Sequence, residues 1–254
     1  NKLGGIVRHV IPSFRISEEA IDNDVKLCQA YGATFNTGVE VKDVNALLAE
    51  GYPDVVVAIG AWAPGRKTLK SGEALDALEF LEEFKRAPES VDLGTDVVVI
   101  GAGNTAMDVA RAAKRVSGVQ NVRLVYRRTK RYMPADEEEL QMAIDDGVEF
   151  MELLAPGDLA NNQLTCEVMK LGAPDESGRR RPEGTGEFVT VPATAVITAV
   201  GEQVEPDLYT TSGIACDEKG LPVVDNNLQT SLAHVYAVGD GRRGPATVVK
   251  GIAD

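Results

Sequence analysis

Residues 101–106 read Gly101-Ala102-Gly103-Asn104-Thr105-Ala106. They follow an apolar run, Asp96 to Ile100, and open an amphipathic stretch that reaches about Val116. Two glycines at this spacing, between a buried strand and a helix, suit a polyphosphate. Gly101 permits a tight turn, Gly103 lets backbone approach a pyrophosphate, and Ala106 lets helix and strand pack closely. Asn104 and Thr105 begin the helix, whose free N–H groups and positive end would face the phosphates. The next apolar run, Val122 to Tyr126, leads into Arg127 and Arg128, with Arg131 close behind. At this point in such a fold a carboxylate would hold a ribose 2′-hydroxyl, whereas arginines accommodate a 2′-phosphate. The residues therefore point to NADP(H) rather than NAD. The plainer alternatives are an ordinary strand–helix turn and solvated loop arginines. Asp108, one turn into the helix, can be read as a simple helix-face carboxylate.

No catalytic acid, base or nucleophile stands out. His9 and His234 are the only histidines, and His234 reads as a turn residue. The three cysteines, Cys28, Cys166 and Cys216, lie far apart with no C-x-x-C. No disulfide framework, zinc site or complete iron–sulfur ligand set is expected within the chain. The same absence counts against dithiol chemistry of the thioredoxin reductase kind.

The elements that must position these residues follow from the patterning of the 254 residues, 44% of them hydrophobic, which suffices for a sizeable core. Short apolar runs alternate with amphipathic segments, the mark of an α/β fold around a parallel sheet. Ser17 is an N-cap, with Glu18 and Glu19 in the first turn of a helix to about Tyr31 that stops at Gly32. Val55 to Ile59 is a buried strand. Leu75, Leu78, Leu81 and Phe84 recur at near-helical spacing, giving a surface helix with one apolar face. Asp136 to Glu139 open a helix that ends at Gly147. Leu164 to Val191 form strand–turn–strand; Arg179, Arg180 and Arg181 in the turn could grip a phosphate or an acidic partner, and read more simply as a solvated hairpin tip; Ala195–Val200 and Val235–Val238 are further strands.

The net charge of −13 argues against nucleic acid and against anionic membranes. Apolar runs are strand-sized, so no membrane span is expected, and the first residues lack the apolar segment of a secretory leader. The chain is expected to be a cytoplasmic piece of a longer protein.

The stretch Asp96 to Asp108, together with Tyr126-Arg127-Arg128, Met133-Pro134-Ala135 and Ile11-Pro12-Ser13-Phe14-Arg15, resembles the glutamate synthase small-subunit family. Leu171 to Pro182, Ala199-Val200-Gly201-Glu202-Gln203 and Arg243-Gly244-Pro245 are closer to the YgfK-type selenate reductase subunits; dihydropyrimidine dehydrogenase contains a related module. The resemblance implies a Rossmann-like NADP-binding domain inserted in a split FAD-binding domain. The FAD pieces would be residues 1–62 and 204–254, and the NADP domain 63–203. Gly201 and Gln203 would be cofactor-binding, and Ala58-Ile59-Gly60 would belong to the crossover. Ala237-Val238-Gly239-Asp240 would be the late FAD motif, with Asp240 on the ribitol–phosphate region. Pro245 to Val249, with Thr247 and Val248, would bring backbone N–H groups to the isoalloxazine.

The family's own FAD glycine turn and its four-cysteine clusters are not found in this sequence. The FAD domain is therefore expected to be incomplete, with FAD lost or weakly held, an open strand edge that favours self-association, and no cation near Asp240. The resemblance implies hydride transfer from C4 of NADPH to N5 of FAD, then single electrons to iron–sulfur clusters elsewhere. Partners would be the upstream FAD and iron–sulfur segments and a downstream reductase domain or subunit. The rival reading is a nucleotide-binding or interaction module without turnover of its own.

Overall fold

The computed structural model describes residues 2–65, 69–174, 178 and 180–254. Along the chain come α1 (Gly5–His9), α2 (Glu18–Ala30), α3 (Val44–Ala49), β1 (Val55–Val57), β2 (Leu75–Asp76) and α4 (Ala77–Arg86). Then follow β3 (Asp96–Ile100), α5 (Asn104–Lys114), β4 (Asn121–Tyr126), α6 (Glu137–Asp145), β5 (Val148–Glu152), β6 (Leu154–Ala160) and β7 (Gln163–Pro174). The last elements are β8 (Arg180–Pro192), β9 (Ala195–Thr198), α7 (Asp207–Thr211), β10 (Val235–Ala237), α8 (Asp240–Arg243) and α9 (Val248–Ile252). Contacts divide the chain into two compact units: Asn1–Phe35 with Arg66–Val200, and Asn36–Gly65 with Gly201–Asp254.

In the first unit a five-stranded parallel sheet runs in the order β2-β9-β3-β4-β5. Val97, Val99 and Leu124 face α4, α5 and α6, packing on Phe80, Leu81, Met107 and Leu140. Val98, Ile100 and Val125 face the other way, onto Leu154, Leu164, Cys166 and Val191 of the antiparallel sheet β6-β7-β8. A strand covered on both faces must be apolar throughout, which is why β3 reads Val-Val-Val-Ile without alternation. Each such side chain contributes about 1.5–3 kcal/mol by leaving water.

Local signals set the helix ends. Ser17 Oγ accepts from Ala20 N (3.2 Å) at the start of α2. Asp76 caps α4 through Leu78 N (2.8 Å) and Glu79 N (3.3 Å). Leu75, expected on the helix, therefore lies in β2 instead. Of the expected hairpin tip, Arg180 and Arg181 are exposed in β8, whereas Arg179 lies outside the described residues.

The first thirty-five residues, expected within a split FAD domain, pack with the central unit. Polar anchors explain this. Arg15 forms ion pairs with Asp108 on α5 and Glu139 on α6, its Nη1 lying 2.7 Å from Glu139 Oε1. The Phe14 ring lies under the guanidinium groups of Arg111 and Arg115, at 4.7 and 4.5 Å. Lys85 Nζ donates to the carbonyl of Ile11 (2.7 Å). Asp108 is thus a buried anchor for the entering chain.

The second unit is built on β1 and β10, paired in parallel from Val55–Val235 to Val57–Ala237. Val44, Val57, Tyr209, Ile214, Val235 and Ala237 form its core. Ala63 and Gln203 exchange backbone hydrogen bonds (3.1 and 2.8 Å). That bridge ties the two crossover segments together. The contact boundaries accordingly fall at 65/66 and 200/201 rather than at the expected 62/63 and 203/204. Among the described residues no helix is long and apolar enough to cross a membrane.

Candidate nucleotide-binding site

The turn between β3 and α5 carries the first group of expected residues. Gly101 has φ +143°, and a Cβ there would lie 2.2 Å from the carbonyl oxygen of Ala199. Its N–H donates to the Val125 carbonyl (3.2 Å), so the turn is sewn to the neighbouring strand. Only glycine fits that point. Gly103 differs: a Cβ there would meet only Pro134 Cγ, at 3.9 Å. That is an ordinary van der Waals contact, so Gly103 is not held by crowding as Gly101 is.

Ala106 is fully buried against β3. Gly103 is the N-cap of α5 and supplies no side-chain cap, and the first intrahelical bond runs from Met107 N to Gly103 O (3.2 Å). The N–H groups of Asn104, Thr105 and Ala106 therefore form the positive end of an eleven-residue helix. Asn104 turns its side chain to the neighbouring loop, where Oδ1 accepts from Asp136 N (3.3 Å). Ala135 N donates to the Ala102 carbonyl (3.1 Å), which fixes Met133-Pro134-Ala135 beside the turn.

The arginines follow β4, the strand next to β3 on the same side as Gly101. Tyr126 Oη donates to the Tyr132 carbonyl (2.7 Å) and folds the loop between them. Arg127 and Arg131 are exposed, and the Arg131 guanidinium stands 5.9 Å from the Tyr132 ring centre. Arg128 is half-buried and gives Nε to the Arg180 carbonyl (3.3 Å). Among the described residues the one ion pair of this loop is Lys130 with Glu137 (2.9 Å).

Gly201, Gln203, Gly60, Gly239, Asp240, Thr247 and Val248 lie in the second unit. Gly60 (φ +74°) and Gly239 (φ +62°) follow β1 and β10, at the same end of that parallel pair. Burial pushes the Asp240 carboxyl up, while the Ala246 N–H (3.0 Å) and Arg243 favour its charged form. Thr247 caps α9 by accepting from Lys250 N (3.4 Å), and Val248 is exposed.

Sequence reasoning missed several neighbours. A Cβ on Gly241 would lie 3.0 Å from Tyr209 Oη and 3.3 Å from Gly60 N, so this glycine lets the two loops meet. Tyr209 Oη donates to the Gly241 carbonyl (3.0 Å), and burial pushes its hydroxyl up to about 12. Gly239 N donates to Asp254 Oδ2 (2.7 Å), and Arg242 and Arg243 pair with the same carboxylate. The expectation that no cation stands near Asp240 is therefore corrected. Gly241, two residues beyond Gly239, was the available signal. Cys166 is buried, with its thiol pushed up to about 11, and among the described residues no cluster could hold a metal ion.

Residues 15–254 match the model of the pyridine nucleotide-disulphide oxidoreductase family. The chain belongs to that family. It is 42% identical over 253 residues to YgfK of Escherichia coli (strain K12), named an oxidoreductase, covering 98% of this chain and 24% of YgfK. It is 32% identical to the glutamate synthase [NADPH] small chain of Azospirillum brasilense, covering 100% of this chain and 58% of that one. Both bear out the likeness read from the motifs. The chain thus spans about a quarter of one relative and just over half of the other. Mycobacterium tuberculosis FprA in complex with NADPH shares the fold, with a TM-score of 0.75 at 21% identity over 96% of this chain and 71% of FprA.

Proposed function

We propose that this chain is the NADP-binding part, with a portion of the FAD-binding part, of a larger oxidoreductase that moves a hydride from NADPH to FAD. The carrying observation is the helix N-terminus at Gly103, which has no side-chain cap, with exposed Arg127 at the end of the neighbouring strand. NADPH supplies the hydride and FAD accepts it; the protein supplies placement and electrostatics.

The N–H groups of Asn104, Thr105 and Ala106 would hold the NADP pyrophosphate. Arg127, Arg128 and Arg131 would take the 2′-phosphate. In the second unit Gly239 N–H, Arg242 and Arg243 already hold one carboxylate, that of Asp254, so the corner has the donors an FAD phosphate needs. Asp240 would bind ribitol hydroxyls, with Gly60, Thr247 and Val248 near the flavin and Gly201 and Gln203 on the connecting segment. Electrons would pass on to iron–sulfur clusters in other segments or subunits. A second reading, a nucleotide-binding module without turnover, is favoured by the two-stranded sheet of the second unit.

The test is to add NADPH anaerobically to the longer protein containing this chain and follow its flavin absorbance. Bleaching is expected, and its loss on Gly103→Val. A flavin band unchanged by NADPH would contradict the reading.

A further inference from the structure

The two neighbouring arginines expected to act alike are separated by the structure. Arg127 is exposed, whereas Arg128 is half-buried and engaged on both sides. Its Nε donates to the carbonyl of Arg180, 52 positions away in sequence. Its own carbonyl accepts from Leu153 N (3.2 Å), next to the start of β6. One residue thus joins the end of β4 to the first and last strands of the antiparallel sheet.

The Arg180 carbonyl is available because its cross-strand partner is Pro174, which has no N–H to give. A guanidinium that spends Nε on a carbonyl still keeps both Nη groups as donors, and its planar fork is held in one orientation.

We propose that the β7–β8 arm forms a further wall of the 2′-phosphate site, with Arg128 as the pin that positions it and Arg180 or Arg181 as an added cation. This rests on the NADP reading above. A phosphate monoester carries close to two negative charges near neutral pH and three acceptor oxygens, more than one arginine satisfies. The loop is not purely basic: the Glu152 carboxylate accepts from Lys130 N, so a cation from the arm would offset it. Arg180 and Arg181 are both exposed and adjacent in β8, so their side chains leave opposite faces of the strand and both need testing. NAD has only a hydroxyl at this position, so the arm acts on NADP alone.

The test measures dissociation constants for NADP+ and NAD+ by equilibrium dialysis, at low and high salt. It compares the unsubstituted chain with Arg127→Ala, Arg128→Lys, Arg180→Glu and Arg181→Glu, each checked for fold by circular dichroism. Arg128→Lys keeps the charge but loses the fork, and is expected to weaken NADP+ about fivefold while leaving NAD+ unchanged. At least one of the two glutamate variants is expected to weaken NADP+ about tenfold at low salt, and less at high salt. These two lie on the surface and keep the test decisive if Arg128→Lys folds poorly. If all three arm variants bind NADP+ like the unsubstituted chain while Arg127→Ala loses it, the arm proposal is overturned and the NADP reading stands. If the unsubstituted chain shows no preference for NADP+, both are overturned.

Discussion

Gly101 and Gly103 are the same residue type with different duties, and substitution separates them. Gly101 is required by the fold, because its positive φ and the Ala199 carbonyl leave no room for a methyl group. Gly101→Ala is expected to cost about 2 kcal/mol or more in urea unfolding. Gly103→Val is expected to fold with a loss of about 1 kcal/mol or less, since its Cβ makes only an ordinary contact with Pro134, yet to lose dinucleotide binding. Retained binding in a folded Gly103→Val protein would put the phosphates elsewhere. For Arg127→Ala, loss of one charge-assisted hydrogen bond of about 1.5–3 kcal/mol should weaken NADP+ roughly tenfold or more. Equal affinity in variant and parent would remove Arg127 from the site. The glycines were legible because turn geometry is local. The role of Arg128 was not, because its partner is a carbonyl contributed by a distant strand.

At the scale of elements, Arg15 is the anchor to probe. Asp108 is buried, and burial pushes its carboxyl up while Arg15 favours its charged form. Arg15→Ala would remove the hydrogen-bonded partner of that charge, leaving only the more distant Arg111, and is expected to cost about 2–4 kcal/mol in denaturant unfolding. A carboxyl whose folded pKa exceeds its unfolded value destabilises the fold once charged. The strain is fully present above the folded pKa and is relieved as pH falls through it. The deficit of Arg15→Ala should therefore shrink as the pH is lowered through the raised pKa of Asp108. A deficit independent of pH would mean that Arg15 acts through packing alone.

The pattern Val-Val-Val-Ile and the capping residue Ser17 made β3 and α2 readable. β6 was not readable, because Pro156 and Gly157 look like loop residues; a Cβ on Gly157 would sit 2.9 Å from the Thr165 carbonyl, so the strand needs that glycine at its irregularity. The docking of residues 1–35 on the first unit was equally hidden, since ion pairs to α5 and α6 leave no periodicity in the sequence.

For the molecule as a whole, the second unit presents a two-stranded sheet, with Val56 61% and Val249 75% exposed. A two-stranded pair is marginal without further cover. This chain alone is expected to keep little FAD after extensive dialysis, and a longer form with the preceding residues to keep it in stoichiometric amount. Stoichiometric FAD on this chain alone would show that the donors at Gly239, Arg242 and Arg243 suffice.

The central claim, that the β3–α5 turn with the arginines after β4 is an NADP site, is tested most directly by calorimetric titration of this chain with NADP+ and with NAD+. The account predicts binding of both with NADP+ tighter by about tenfold or more, as one or more charge-assisted hydrogen bonds to the 2′-phosphate require. Equal affinities, or no heat from either, would contradict it.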